Sequence, residues 1–194
     1  MSSDLTWIPR AAQRRVRWQN GLGWTTEIAA RPAGTFAWRL SVAEVDADSE
    51  FSRFPGVDRT ILALTGPGFT LFVDGAPPVV LRPGGPAHAF PGDLPARCEV
   101  PAPGRDFNIM TRRGAFTHAL AQVDLHRHRS VPRPADATVA IYVVTGHAAL
   151  GDPLAPGDCV LVEPAPEARS PLTLTGDAAV LLVELRPVRV LVEP

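Results

Sequence analysis

TILALTGPGFTLFVDG (residues 60–75), followed at 89–93 by AFPGD, reads as a strand, a glycine turn, a second strand and a Pro-Gly turn leading into a third. The second half of the chain repeats that order. TVAIYVVTGHAALG (138–151) is followed by APGDCVLVEP (155–164). Two small β-barrels or jelly rolls in tandem, joined near residues 115–137, account for the echo.

Outward from these stretches, FAWRLSVAEV (36–45), DFNIMTRRG (106–114) and AVLLVELRPVRVLVEP (179–194) show the same alternating or continuous apolar runs of strand length. Helical periodicity is scarce. AFTHALAQVDLHRH (115–128) has a helical look and reads equally well as an extended linker. The expected fold is all-β, with two barrel or jelly-roll halves packed as one unit. The first covers residues 1–115 and the second 116–194, with strand exchange between the halves allowed.

With 194 residues, 45% of them hydrophobic and 20% charged, the chain has the composition of a soluble globular protein with an ordinary core. Its 21 prolines and 16 glycines are spread throughout, as many short strands and turns require. A net charge of −1 gives no electrostatic footprint for nucleic acid. All 19 basic residues are arginine, which an arginine-rich codon usage explains without a functional demand. Cys98 and Cys159 match neither a CxxC site nor a disulfide framework, and read as small buried hydrophobes in a reducing compartment. No apolar segment is long enough for a signal peptide or a membrane span, so a cytoplasmic protein is expected.

A PGD turn after paired strands is a feature of cupin barrels. Metal-dependent cupins add an HxH, a Glu and a later His on facing strands. His126-Arg127-His128 lacks the following Glu and lies in a basic, proline-broken stretch, so no metal and no other cofactor is expected.

Three stretches place polar residues where strand patterning alone does not need them. In WQNGLGWTTEI (18–28), Asn20-Gly21 suits a tight turn, and a strand from Trp24 puts Thr25 and Glu27 on one face. In WRLS, Arg39 and Ser41 lie opposite Trp38 and Leu40. The short interval between Glu27 and Arg39 allows a hairpin with a cross-strand ion pair. In FSRFPGVDR (51–59) a Phe-Pro-Gly turn delivers Arg59 to the next strand. In DFNIMTRRG, Asp106, Asn108, Met110 and Arg112 share a face. An exposed strand gives that alternation too. The directional geometry of Asp, Asn and Arg suits instead a barrel cavity for a carboxylate or an amide.

These motifs resemble the HutD/Ves family of bicupin-like bacterial proteins. The matching patterns are W-x-N-G-x-G-x-T-x-E-I from Trp18, W-R-L-S-x-A from Trp38, F-S-x-F-P-G-x-D-R from Phe51, F-x-G-D from Phe90 and D-F-N-x-M-x-R-R-G from Asp106. Leu22 and Ser49-Glu50 depart from the pattern. The resemblance implies a two-barrel fold without the cupin metal ligands and a link to histidine utilisation. It also implies a small carboxylate ligand such as urocanate or N-formylglutamate. Carried over position by position, it assigns the pocket to Asn20, Glu27, Arg39, Arg59 and Asn108, with Thr25, Ser41, Asp106 and Arg112 beside them. The expected function is a regulatory metabolite-binding protein without catalytic residues, with no nucleic-acid or membrane partner and with exposed edge strands suited to a homodimer. The competing expectation is a metal-free cupin isomerase, lyase or hydrolase with Glu27 or Asp106 as general base.

Overall fold

A computed structural model describes residues 4–18, 21, 23–165 and 170–189. Among them the only helical element is a single short turn, Arg10–Ala12; the rest of the regular structure is antiparallel sheet. The all-β expectation holds. No described helix is long and apolar enough to cross a membrane. By backbone contact the chain divides into two units. One spans Arg14–Ala115; the other combines the residues before Arg14 with those after Ala115.

The second of these units contains β1 (Leu5–Ile8), which the sequence reading had left within the 1–115 half. Its position follows from pairing, since Leu5 to Ile8 run antiparallel to Val162 to Cys159. The Arg14–Ala115 unit holds β2 (Arg14–Arg17), β3 (Trp24–Arg31), β4 (Trp38–Val45), β5 (Ser49–Phe51), β6 (Val57–Thr65), β7 (Phe69–Val73), β8 (Val79–Leu81), β9 (His88–Pro91), β10 (Ala96–Glu99) and β11 (Gly104–Arg112). The strands β12 (Phe116–Val131), β13 (Thr138–Leu150), β14 (Asp152–Leu154), β15 (Cys159–Val162) and β16 (Leu172–Pro187) complete the other unit.

In the Arg14–Ala115 unit a six-stranded sheet, β2-β3-β4-β11-β6-β9, accompanies a four-stranded sheet, β5-β10-β7-β8. The apolar residues of the 60–75 stretch alternate as its strand reading requires. Ile61 and Ala63 join Leu71, Val73, Leu81, Phe90 and Cys98 in one buried cluster. Cross-sheet burial of this kind, at about 25 cal/mol per Å² of apolar surface, supplies most of the cohesion of a sandwich. The opposite face of the larger sheet is also apolar and buried, through Trp38, Leu40, Leu62, Phe107 and Ile109. The DFNIMTRRG strand is therefore buried on both faces, and its exposed-strand reading is set aside.

In the other unit the sheet order is β1-β15-β13-β16-β12, with β14 paired to β13. Its interior is apolar, built from residues such as Val123, Leu125, Ile141, Val160, Leu174 and Val180. The 115–128 stretch is neither helix nor linker here. From Phe116 it pairs residue by residue with β16 along all 16 positions. Two glycines permit the tight crossing of β13 and β16. A Cβ on Gly146 (φ +80°) would meet the Asp177 carbonyl oxygen at 2.3 Å, and one on Gly176 (φ +128°) the His147 carbonyl oxygen at 2.2 Å. Each crossing thus needs a missing side chain and a left-handed backbone at once.

The PGD echo has a shared structural use. Asp93 accepts the Gly56 amide at 2.8 Å, while Asp158 accepts the amides of Arg10 at 2.8 Å and Ala155 at 2.9 Å. In each unit the turn aspartate fastens a loop beside it. Cys98 and Cys159 are buried and free, and burial pushes the Cys159 thiol up to about 12.

Candidate functional site

Cross-strand register builds the site. Thr25, Ala43 and Asp106 stand opposite one another on β3, β4 and β11. In the adjacent row Glu27, Ser41 and Asn108 do the same. One step further, Met110 lies between Arg39 on β4 and Arg59 on β6. Side chains at alternate positions of a strand share a face, so the three rows form one surface. Small residues occupy its centre (Thr25, Ser41, Ala43) and long polar ones its borders. The space left is a cavity of about 220 Å³. Phe51 from the second sheet, with Phe54 and Trp18, walls it.

Arg59 is the most buried of the charged groups that line the cavity, 3% exposed. Its guanidinium carbon lies 4.9 Å from the ring centre of Phe90, 5.2 Å from Phe51 and 5.7 Å from Phe54, within cation–π range. One Nη2–H donates to Asn108 Oδ1 at 2.8 Å, and Nε has no partner. Burial pulls its pKa down to about 10, against the opposing attraction of Asp106. Asn108 in turn donates through Nδ2 to Asp106 Oδ1. Asp106 is fully buried, its Oδ2 is unpartnered, and desolvation lifts its pKa to about 7 despite Arg59. A carboxylate, an amide and a guanidinium thus form a continuous buried chain.

The other charged groups lining the cavity are Arg17, Arg39 and Arg53; no Asp or Glu side chain lines it among the described residues. Arg39 is half-buried, and Arg17 and Arg53 are exposed. Glu27 stands outside the lining, held at 2.9 Å by Arg39 Nε and at 3.3 Å by Arg14 Nη2. Both its oxygens are engaged, so it serves as scaffold and not as a free base. The expected hairpin and ion pair are present. Their register contains a bulge between Glu27 and Ala29, which sets Ala29 opposite Leu40, where strict alternation would set Ile28. Thr25 Oγ1 accepts the Trp18 indole N–H at 2.7 Å, which leaves its own hydrogen to be donated elsewhere.

Much of the remaining motif sequence positions Arg59. The Gly92 backbone clasps the turn at both ends, with Phe54 N–H donating to the Gly92 carbonyl at 2.8 Å and Gly92 N–H to the Val57 carbonyl at 2.7 Å. A Cβ on Gly92 would meet the Val57 carbonyl oxygen at 2.9 Å and the Phe54 carbonyl oxygen at 3.0 Å, and would crowd the Arg59 stem. Arg113 bridges Asp58 at 2.7 Å and Asp93 at 2.9 Å. The Gly56 amide and Arg113 both hold the Asp93 carboxyl below the usual range, so its contribution is present at neutral pH and lost as pH falls through that depressed pKa. Asp93→Ala is expected to lower the melting temperature, and Asp93→Asn to lower it less because an acceptor for Gly56 survives. Thermal scans at neutral and acid pH, where the wild-type advantage over both variants should shrink, test this.

Of the residues expected at the pocket, Thr25, Arg39, Ser41, Arg59 and Asn108 line the cavity. Asp106 lies behind Asn108, and Glu27 behind Arg39. Arg112 is exposed at the end of β11 and directs Nε to the Phe36 carbonyl at 3.4 Å, away from the cavity lining. Asn20 falls outside the described residues. The sequence reading missed Arg17, Arg53, Phe51, Phe54, Trp18 and Met110 as lining residues. A signal for three of them, Phe51, Arg53 and Phe54, lay in the FSRFPG motif, whose phenylalanines flank an arginine. Among the described residues no group of three or more His, Cys, Asp and Glu is placed to share a metal ion. His126 and His128 are exposed on β12, with His126 Nδ1 3.4 Å from Asp177 Oδ1.

The antiparallel sheets and the arginine-lined cavity of the Arg14–Ala115 unit define an all-β, cupin-like protein. The HutD family model matches residues 10–182, and the chain belongs to the HutD family. It is 36% identical over 149 residues to Protein Ves of Cronobacter sakazakii, covering 71% of this chain and 75% of that one. It is also 41% identical over 101 residues to an uncharacterised 21.2 kDa protein in the hutC 3′ region of Pseudomonas putida, where the match spans 50% of this chain and 52% of the relative. The structure of HutD from Pseudomonas fluorescens SBW25, in a formate condition, superposes with a TM-score of 0.83 at 29% identity, covering 95% of this chain and 100% of that one. Ylba from E. coli shares the fold, with a TM-score of 0.72 at 11% identity over 100% of this chain and 95% of that one.

Proposed function

We propose that this protein binds a small carboxylate metabolite in the Arg14–Ala115 unit and acts as a regulator in histidine utilisation. One observation carries the reading: four arginines and no carboxylate line a cavity whose deepest guanidinium is held by an amide. A buried guanidinium is normally matched by an acid. Here Asp106 reaches Arg59 only through Asn108 and the Arg59 Nε has no partner, so direct contact is left for a ligand, and Arg offers a carboxylate two parallel N–H donors. Arg39 and Arg59 stand on strands separated by β11, about 10 Å apart at the backbone, so a short ligand can meet both. The cavity is below the ~300 Å³ at which drug-sized pockets begin, which favours a metabolite over a peptide or nucleotide.

Histidine utilisation enters through the family name and the hutC-region relative. Urocanate and N-formylglutamate are small carboxylates of that breakdown route and fit the class. The decisive experiment is isothermal titration calorimetry with both, supported by thermal shift. Binding by one of them in the micromolar to millimolar range supports the reading. Folded protein that responds to neither, nor to related small carboxylates, overturns it.

A further inference from the structure

We propose that carboxylate binding at this site is coupled to the uptake of one proton, taken by Asp106, so that the pocket senses pH as well as ligand. The inference rests on the carboxylate reading and concerns a side chain that does not line the cavity. It begins with charge. In the ligand-free site the innermost groups are one cation, Arg59, and one anion, Asp106, joined through Asn108. The ring wall of Phe51, Phe54 and Phe90 and the alanines opposite Asp106, Ala43 and Ala63, give neither charge another nearby counterpart. An anionic ligand on Arg59 adds a second negative charge to this poorly solvated region. Repulsion there is far stronger than in water, and a proton on Asp106 removes it.

The geometry has room for that proton. Oδ1 of Asp106 accepts from Asn108 in either protonation state, while Oδ2 is buried without a partner. The proton can therefore arrive at Oδ2 without turning the Asn108 amide, whose Oδ1 stays on Arg59. Other charged or titratable groups near the chain leave the assignment with Asp106. Arg39 on β4 is tied to Glu27 on β3. Cys98 on β10 feels Asp106, but its thiol is pushed up by burial, away from neutral pH. The elevated Asp106 carboxyl, at about 7, stands where a ligand charge moves it through the physiological range.

The test is calorimetry of the wild-type chain with N-formyl-L-glutamate and with formate. Their carboxyl groups remain ionised from about pH 6 to pH 8.5, so any proton change belongs to the protein. Titrations in phosphate and in Tris, which differ in ionisation enthalpy, count the protons. At about pH 8, where most of the free Asp106 carboxyl is ionised, the expected result is an observed enthalpy that differs between the buffers by an uptake approaching one proton. Affinity should fall as pH rises, with a limiting slope of about tenfold per unit. In Asp106→Asn the uptake and the slope should both vanish. Binding with equal heats in both buffers and a flat affinity overturns the proton coupling alone. Uptake that persists in the variant overturns its assignment to Asp106. Absence of binding by both probes, with urocanate equally silent, overturns the carboxylate reading and this inference with it. The buffer comparison needs only wild-type protein, so a poorly folding variant leaves the proposal falsifiable.

Discussion

Arg59→Met is expected to weaken carboxylate binding by about 100-fold or more while leaving a folded protein. Two charge-assisted hydrogen bonds from one guanidinium are lost, and each contributes about 1.5–3 kcal/mol where water is excluded. The stability change should be much smaller. Arg59 is 3% exposed, its Nε bonds to nothing, and burial has already drawn its pKa to about 10. Replacing a poorly compensated buried ion with an apolar side chain of similar length is often neutral or stabilising. Methionine fits among Phe51, Phe54 and Phe90. Against this, Asn108 Oδ1 loses its donor, at a cost of about 1–3 kcal/mol. The two effects oppose, so thermal denaturation should move little while calorimetry loses its signal. Arg59→Lys keeps the charge without the fork and should fall between wild type and Arg59→Met. Undiminished binding by a folded Arg59→Met would remove Arg59 from the site.

Arg59 also shows how far the sequence reaches. Its delivery by Phe54-Pro55-Gly56 to the head of an apolar strand was legible, because turn chemistry and strand alternation are local. So was the common face of Arg39 and Ser41, and that of Asp106 and Asn108. Period two fixes such faces without knowledge of the partner strands. What depended on pairing was hidden. The bulge at Glu27 and Ala29 breaks the alternation that assigned Ile28 to the face opposite Glu27. Arg112 shares parity with Asn108 but lies beyond the cavity's end. Phe116, Leu120 and Val123 have helical spacing, yet 16 rungs of pairing with β16 decide the conformation. Arg17 and Arg53 reach the cavity from a sheet edge and a loop, and no periodicity encodes that convergence.

Stability measured without ligand should decline from about pH 4 to above pH 7 in the part attributable to Asp106. The carboxyl titrates at about 7 in the folded chain, raised by desolvation, against an ordinary value of 3.8. Between those values the folded state binds more protons than the unfolded one, so raising the pH favours unfolding. The contribution is fully present below the lower value and lost as pH rises through the upper one. A shift of this size corresponds to at most about 4 kcal/mol, less whatever the site recovers by relaxation. Depressed acids such as Asp93 and Asp136 act in the opposite sense, so the readout is the difference between wild type and Asp106→Asn. Urea denaturation at intervals across this range should show that difference shifting steadily towards the variant as pH rises. In Arg59→Met the Asp106 carboxyl loses the cation that partly restrains it, and the window should extend upward. A wild-type-minus-variant difference that is flat with pH, or that rises, would mean Asp106 stays ionised in the folded protein. The buried chain would then be an ion pair bridged by Asn108, and only the added charge of a bound ligand could bring a proton to Asp106.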